Sequence, residues 1–155
     1  MKKLLILFVC FAFAMGVSAM NQKEEKIPAA AKTGFAAKYP TVEKVKWSVE
    51  KPGEFEAEFK LNGVETSVLV DAKGNVLETE AEIREAELPL LVKKAIAKDF
   101  SGYKLDEIEK ATDDKGVTTF EMEAAKGKDK LEISFDSNGK LLKKKSDERG
   151  RRKRR

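Results

Sequence analysis

Histidine is absent from all 155 residues, and the single cysteine, Cys10, lies in the N-terminal apolar run. These two absences remove much covalent and metal chemistry at once. A Ser-His-Asp triad, a Cys-His pair and a histidine zinc site all need side chains this chain does not have. Once the N-terminal run is removed, no cysteine remains, so no disulfide can supplement the core. Aromatic side chains are also few, with Trp47 as the only tryptophan. Stability must come from burial of apolar surface, and 136 residues from position 20 onward are enough for one ordinary domain or two small ones packed together.

What is present begins with an export signal. Lys2 and Lys3 precede the apolar run Leu4 to Met15, which is too short to span a bilayer stably, and Val17-Ser18-Ala19 offers small residues for cleavage. Residues 1–19 therefore read as a signal peptide and the mature chain starts near Met20, in the periplasm or outside the cell. An uncleaved anchor is the alternative. Cys10 sits in mid-run without the small residues that precede a lipidated cysteine, which argues against a lipoprotein. Residues 20–26 are a polar lead-in.

The rest of the chain says the same thing twice. Ile27-Pro28 opens a segment through Lys32, Phe35, Ala36 and Tyr39, and Leu88-Pro89 opens another through Lys93, Ile96, Ala97 and Phe100. Hairpins at Asp71–Gly74 and Asp136–Gly139 close the copies. Pro28 and Pro89 suit a first helical turn, and Pro40 and Ser101-Gly102 stop the helices. The second helix carries the stripe Leu91, Val92, Ala95, Ile96 and Phe100. In the first copy Phe55, Ala57, Phe59 and Leu61 alternate with Glu54, Glu56, Glu58 and Lys60, the period of a half-buried strand. Asn62-Gly63 turns it into Val64–Val70, and a fourth strand is expected from Asn75 to about Ile83. The second copy gives strands at Tyr103–Lys110, around Phe120, Met122 and Ala124, around Leu131, Ile133 and Phe135, and a short one from Leu141. The expected fold is α+β: two tandem α-β-β-β-β units, residues 27–86 and 87–142, each an antiparallel sheet with one helix packed on one face.

These residues resemble the beta-lactamase-inhibitor-like, PepSY-like family of small exported bacterial proteins. The resemblance is carried by the Ile-Pro-Ala-Ala and Leu-Pro starts, the aromatic before Pro40, Trp47, the Phe55–Phe59 strand and the Asp-x-x-Gly hairpins, and it covers residues 27–142. It implies two units side by side with their strands forming a broad sheet. It does not imply an activity.

The residues themselves point away from catalysis. Glu54, Glu56 and Glu58 alternate along the polar side of a strand, where solvent is expected to reach each one, and a working acid needs surroundings that shift its pKa. No cofactor or metal site is expected. The Asp-x-x-Gly segments lack the alternating ligands and closing glutamate of a calcium loop and read as turns. Trp47 is in phase with Val45 and Val49 and reads as core.

Charge is unevenly distributed. From Lys143 to Arg155 there are nine basic and two acidic residues, whereas the body before it is acidic. Residues 143–155 are expected to be a disordered tail, with Lys143, Lys144, Lys145, Arg149, Arg151, Arg152, Lys153, Arg154 and Arg155 available to an anionic lipid or envelope polysaccharide. Nucleic acid fits an exported protein poorly. The expected partner face is the open sheet surface bearing Lys46, Glu54, Glu56, Glu58, Glu121 and Glu123, whose charge suits a basic protein partner better than an apolar one. The leading reading is an exported, non-enzymatic binding protein, inhibitor-like or regulatory. The alternative is an envelope-associated structural or stress protein tethered by its tail.

Overall fold

A computed structural model describes residues 27–146. The expected signal peptide, the expected lead-in and residues 147–155 of the expected tail lie outside the described residues. The element order is α1 (Ala29–Lys38), β1 (Lys46–Lys51), β2 (Glu54–Leu61), β3 (Val64–Asp71) and β4 (Val76–Glu82), then a 3-10 turn at Glu85–Glu87. The second unit is α2 (Leu90–Asp99), β5 (Lys104–Asp113), β6 (Thr118–Lys126), β7 (Asp129–Asp136) and β8 (Leu141–Ser146). All eight strands form one sheet in chain order, with every neighbouring pair antiparallel.

Alternation along β2 decides which face meets the helix. Phe55, Ala57 and Phe59 are buried while Glu54, Glu56 and Glu58 point the other way. The first core joins them to Ala31, Phe35, Val68 and Val70, with Trp47 packed against it. Phe35 meets the Trp47 and Phe59 rings edge-on at 5.5 and 5.1 Å. The second core gathers Val92, Phe100, Ile108, Phe120, Met122, Ile133 and Phe135. The two cores are separate clusters, and the ladder of β4 on β5, from Glu78 opposite Asp113 to Glu82 opposite Glu109, makes the two units one sheet.

Each helix sits hard against the last hairpin of its own unit. A Cβ built on Gly74 would come within 2.5 Å of the Ala30 carbonyl oxygen, and one on Gly139 within 2.5 Å of the Leu91 carbonyl oxygen. Both glycines also have positive φ, so turn geometry and close approach demand the same residue. In these hairpins Asp71 Oδ1 accepts from the backbone of Lys73 and Asn75, and Asp136 Oδ1 from Asn138 and Lys140. Asp113 does the same for Lys115 and Val117. The carboxylates are therefore engaged in shaping turns.

Four local expectations need correction. Pro28 and Pro89 stand at the N-caps, with ψ 145° and 146°, one position before the first helical turn. Leu91 is 48 % exposed and Val92 carries the inner stripe. β5 runs on to Asp113, because its pairing with β4 and β6 continues past Lys110. The last strand extends to Ser146, so Lys143, Lys144 and Lys145 belong to β8, paired with β7, and not to a disordered tail.

Candidate functional site

Both helices cover the same side of the sheet, leaving its other face without a covering element among the described residues. On that open face the ladders line up acidic side chains strand after strand. Glu58, Ser67, Glu80 and Ala111 form one row across β2 to β5, and Glu56, Leu69, Glu78 and Asp113 the next. A third row runs from Glu82 through Glu109, Glu121 and Ser134 to Lys143. Glu123 and Glu132 pair beyond it.

The centre of this face is buried although no helix covers it. Glu80 is 4 % exposed, Glu78 9 % and Ala111 1 %. Glu56 on β2 and Glu109 on β5 are close enough to repel. In a flat sheet three strand spacings across and the offset between the Asp113 and Glu109 rows along the strand would hold their backbones about 20 Å apart. The open face is therefore concave, with its carboxylates turned toward one another over the seam between the units, a consequence of twist and coiling accumulated over eight strands.

Crowding and burial act on these acids in one direction. Burial, reinforced by Glu109, Glu78 and Glu121, pushes Glu80 up to about 10, against a single hydrogen bond donated by Ser67 Oγ at 3.1 Å. Burial and then Glu121 and Asp113 raise Glu78 to about 7. Burial and then Glu121 and Glu107 raise Glu109 to about 7. Glu56 and Glu121 are raised chiefly by burial, with Ser48 and Lys143 respectively opposing the shift. Glu54, Glu56 and Glu58 all keep partial access to solvent, and partial burial raises Glu56 nonetheless.

A bulge in β5 adds a cleft to this surface. The register with β6 jumps between Asp106 and Glu109, where Glu107 takes the left-handed conformation at φ 47°. Two β5 residues there oppose one on β6, and the opening of about 30 Å³ is floored by Met122 and Ile133 and ringed by Glu109, Glu121, Glu123, Glu132 and Lys143. That volume holds about one or two waters and no substrate of sugar or peptide size. Among the described residues no group of histidine, cysteine or carboxylate side chains is placed to hold a metal ion.

Cations of the open face stand at its periphery, on the outer strands and at strand ends, where Lys60 of β2 lies 2.7 Å from Glu65 and Lys104 of β5 lies 3.9 Å from Asp106. Lys46 on β1 donates to Glu58 Oε2 at 2.6 Å, and Lys143 on β8 lies 3.3 Å from Glu132. Lys144 faces the helix side, 5.4 Å from the centre of the Phe100 ring, and so is turned away from this surface. Of the six residues expected on the partner face, Lys46, Glu54, Glu56 and Glu58 lie in the first unit and Glu121 and Glu123 in the second, all on one surface. Sequence reasoning missed Glu78, Glu80 and Glu109, its most perturbed members. The Glu78-Thr79-Glu80-Ala81-Glu82 alternation was the available signal for the first two.

The chain belongs to the family described as "Putative beta-lactamase-inhibitor-like, PepSY-like", whose model matches residues 19–78 and again 53–143. The two matches overlap over residues 53–78, in keeping with a duplicated unit. The fold is that of three solved Bacteroides proteins. A BLIP-like protein of Bacteroides fragilis is 25 % identical, with 80 % of this chain and 89 % of that chain covered at a TM-score of 0.66. A DUF2874 family protein of Bacteroides uniformis is 23 % identical, with 77 % and 88 % covered and a TM-score of 0.71. A Bacteroides eggerthii chain described as among "putative periplasmic proteins" is 20 % identical, with 78 % and 89 % covered and a TM-score of 0.73. No curated protein matches the chain closely. No described helix is long and apolar enough to cross a membrane.

Proposed function

We propose that this protein is an exported, non-enzymatic binding module that receives the basic surface of a partner protein on the concave open face of its sheet. The observation that carries the reading is the band of carboxylates across β2, β4, β5 and β6, half to fully buried, with lysines on the outer strands and at strand ends (Lys60 on β2, Lys104 on β5) around it. Isolated buried acids are costly to ionise. An arriving guanidinium or ammonium would supply the missing counter-charge, return protons to solvent and steer association at low salt. The inhibitor-like family and the periplasmic relative support an exported module. Catalysis is disfavoured because the shifted acids all move upward together, with no low-pKa partner among them to divide acid and base roles, and the adjoining cleft is too small for a substrate.

The test is binding of labelled oligoarginine and oligoglutamate peptides, followed by fluorescence anisotropy at low and physiological salt. The cationic peptide should bind, weaken as salt rises, and lose most of its affinity for Glu109→Gln/Glu121→Gln. Equal binding of both peptides, or indifference to these substitutions, rejects the reading.

A further inference from the structure

The same chain carries a strongly basic segment after β8. We propose that the arginine-rich segment Arg149–Arg155 folds back in cis onto the concave carboxylate face, so that the protein carries a built-in competitor for its basic partner. This inference rests on the function proposed above and adds its regulation.

The site's need for a cation is seen at Glu78. Its side chain is nine-tenths buried, is repelled by Glu121 and by Asp113 opposite it on β5, and has neither a hydrogen bond nor an ion pair among the described residues. Glu109 likewise meets only like charge, from Glu121, Glu107, Glu56 and Glu82. Lys46 and Lys143 are engaged with Glu58 and Glu132 at the rims.

Topology brings the tail to this place. β8 is an edge strand, and Lys143 on it begins the row that crosses Ser134, Glu121 and Glu109 to Glu82. Ser146 lies three residues beyond Lys143, and β5 lies three strand spacings from β8, which places Glu109 about 17 Å from the end of β8. The nine residues that follow Ser146 reach at most about 30 Å when extended. That reach passes Glu121 and Glu109 and, at full extension, extends to Glu80 and Glu78. Arginine suits such a site, since its planar fork binds carboxylates in pairs and is weakly hydrated. The tether also gives the segment an effective concentration of about millimolar, which a free partner must exceed.

The experiment compares the mature chain expected from residue 20 with a full-length variant in which Arg149, Arg151, Arg152, Lys153, Arg154 and Arg155 are all glutamine. The probe is a fluorescein-labelled peptide of residues 147–155. At low salt it should bind the neutral-tail variant at least about ten-fold more tightly than the natural chain. Glu78→Gln/Glu109→Gln in the neutral-tail background should abolish that binding. Both substitutions remove a buried charge without changing shape, and circular dichroism confirms that each variant is folded. Equal binding to both chains overturns cis docking while leaving the basic-partner reading intact. Failure of the neutral-tail variant to bind the peptide overturns both. Tail-dependent dimers in sedimentation velocity, in place of monomers, also overturn the proposal, since the segment would then dock in trans.

Discussion

Replacing Glu80 by glutamine should stabilise this protein, and more so as pH rises. In the unfolded chain the carboxyl titrates near 4.5, while in the fold burial, reinforced by repulsion from Glu109, Glu78 and Glu121, raises it to about 10. The native state therefore holds a proton that the unfolded state releases above about pH 4.5, so stability falls as pH rises from there toward 10. The cost grows by about 1.4 kcal/mol per pH unit, reaching about 4 kcal/mol near pH 7.5 as an upper limit. Sharing of protons with neighbouring acids reduces the gain realised on substitution to about 2 kcal/mol. Glutamine keeps the shape and can still accept from Ser67 Oγ, so little opposes this gain. The measurement is urea unfolding of the neutral-tail chain with and without Glu80→Gln at about pH 5 and pH 8. Curves that nearly coincide at the lower pH should separate by about 1 M urea at the higher. A variant no more stable than its parent at the higher pH, or a parent that gains stability between the two, would refute a buried, proton-bearing Glu80.

Other expectations follow from packing. Phe59→Ala, which empties the space beside Phe35 and Tyr39, should cost about 3–5 kcal/mol in denaturant melts, whereas Glu58→Ala, which breaks one exposed pair with Lys46, should cost about 0.5 kcal/mol. Comparable midpoints would show that the sheet faces are assigned wrongly. Gly34→Ala drives a Cβ into the Gly74 carbonyl group, a backbone clash that should cost about 2 kcal/mol or more and lower the melting temperature; an unchanged melt contradicts this helix–hairpin approach. Trp47 reports only on the first core. If the β4–β5 ladder couples the units, its fluorescence and far-UV circular dichroism should lose structure at the same urea concentration. Two separated transitions would mean that the units unfold independently.

Sequence alone determined the units and their inner faces. Period-two alternation in Phe55–Leu61 can bury only one side of a strand, and an Asp-x-x-Gly turn after a β run imposes a hairpin wherever it occurs, so both copies and their helices were readable from local chemistry. The family resemblance added the expectation of one broad sheet. The site was legible only as a charged face, because local pattern says which side a glutamate takes and not how far that side is from water. Burial of Glu78, Glu80 and Glu109 depends on the coiling of eight strands and on β4 lying beside β5, contacts between residues some thirty positions apart in sequence. Hairpin pairing drew Lys143–Ser146 into β8, against their charge and weak strand propensity, because β7 offers them an unpaired edge. Tertiary structure thus turned a row of ordinary surface acids into a concave, proton-holding cluster, since desolvation and like-charge repulsion depend on distances in space that the linear order does not specify.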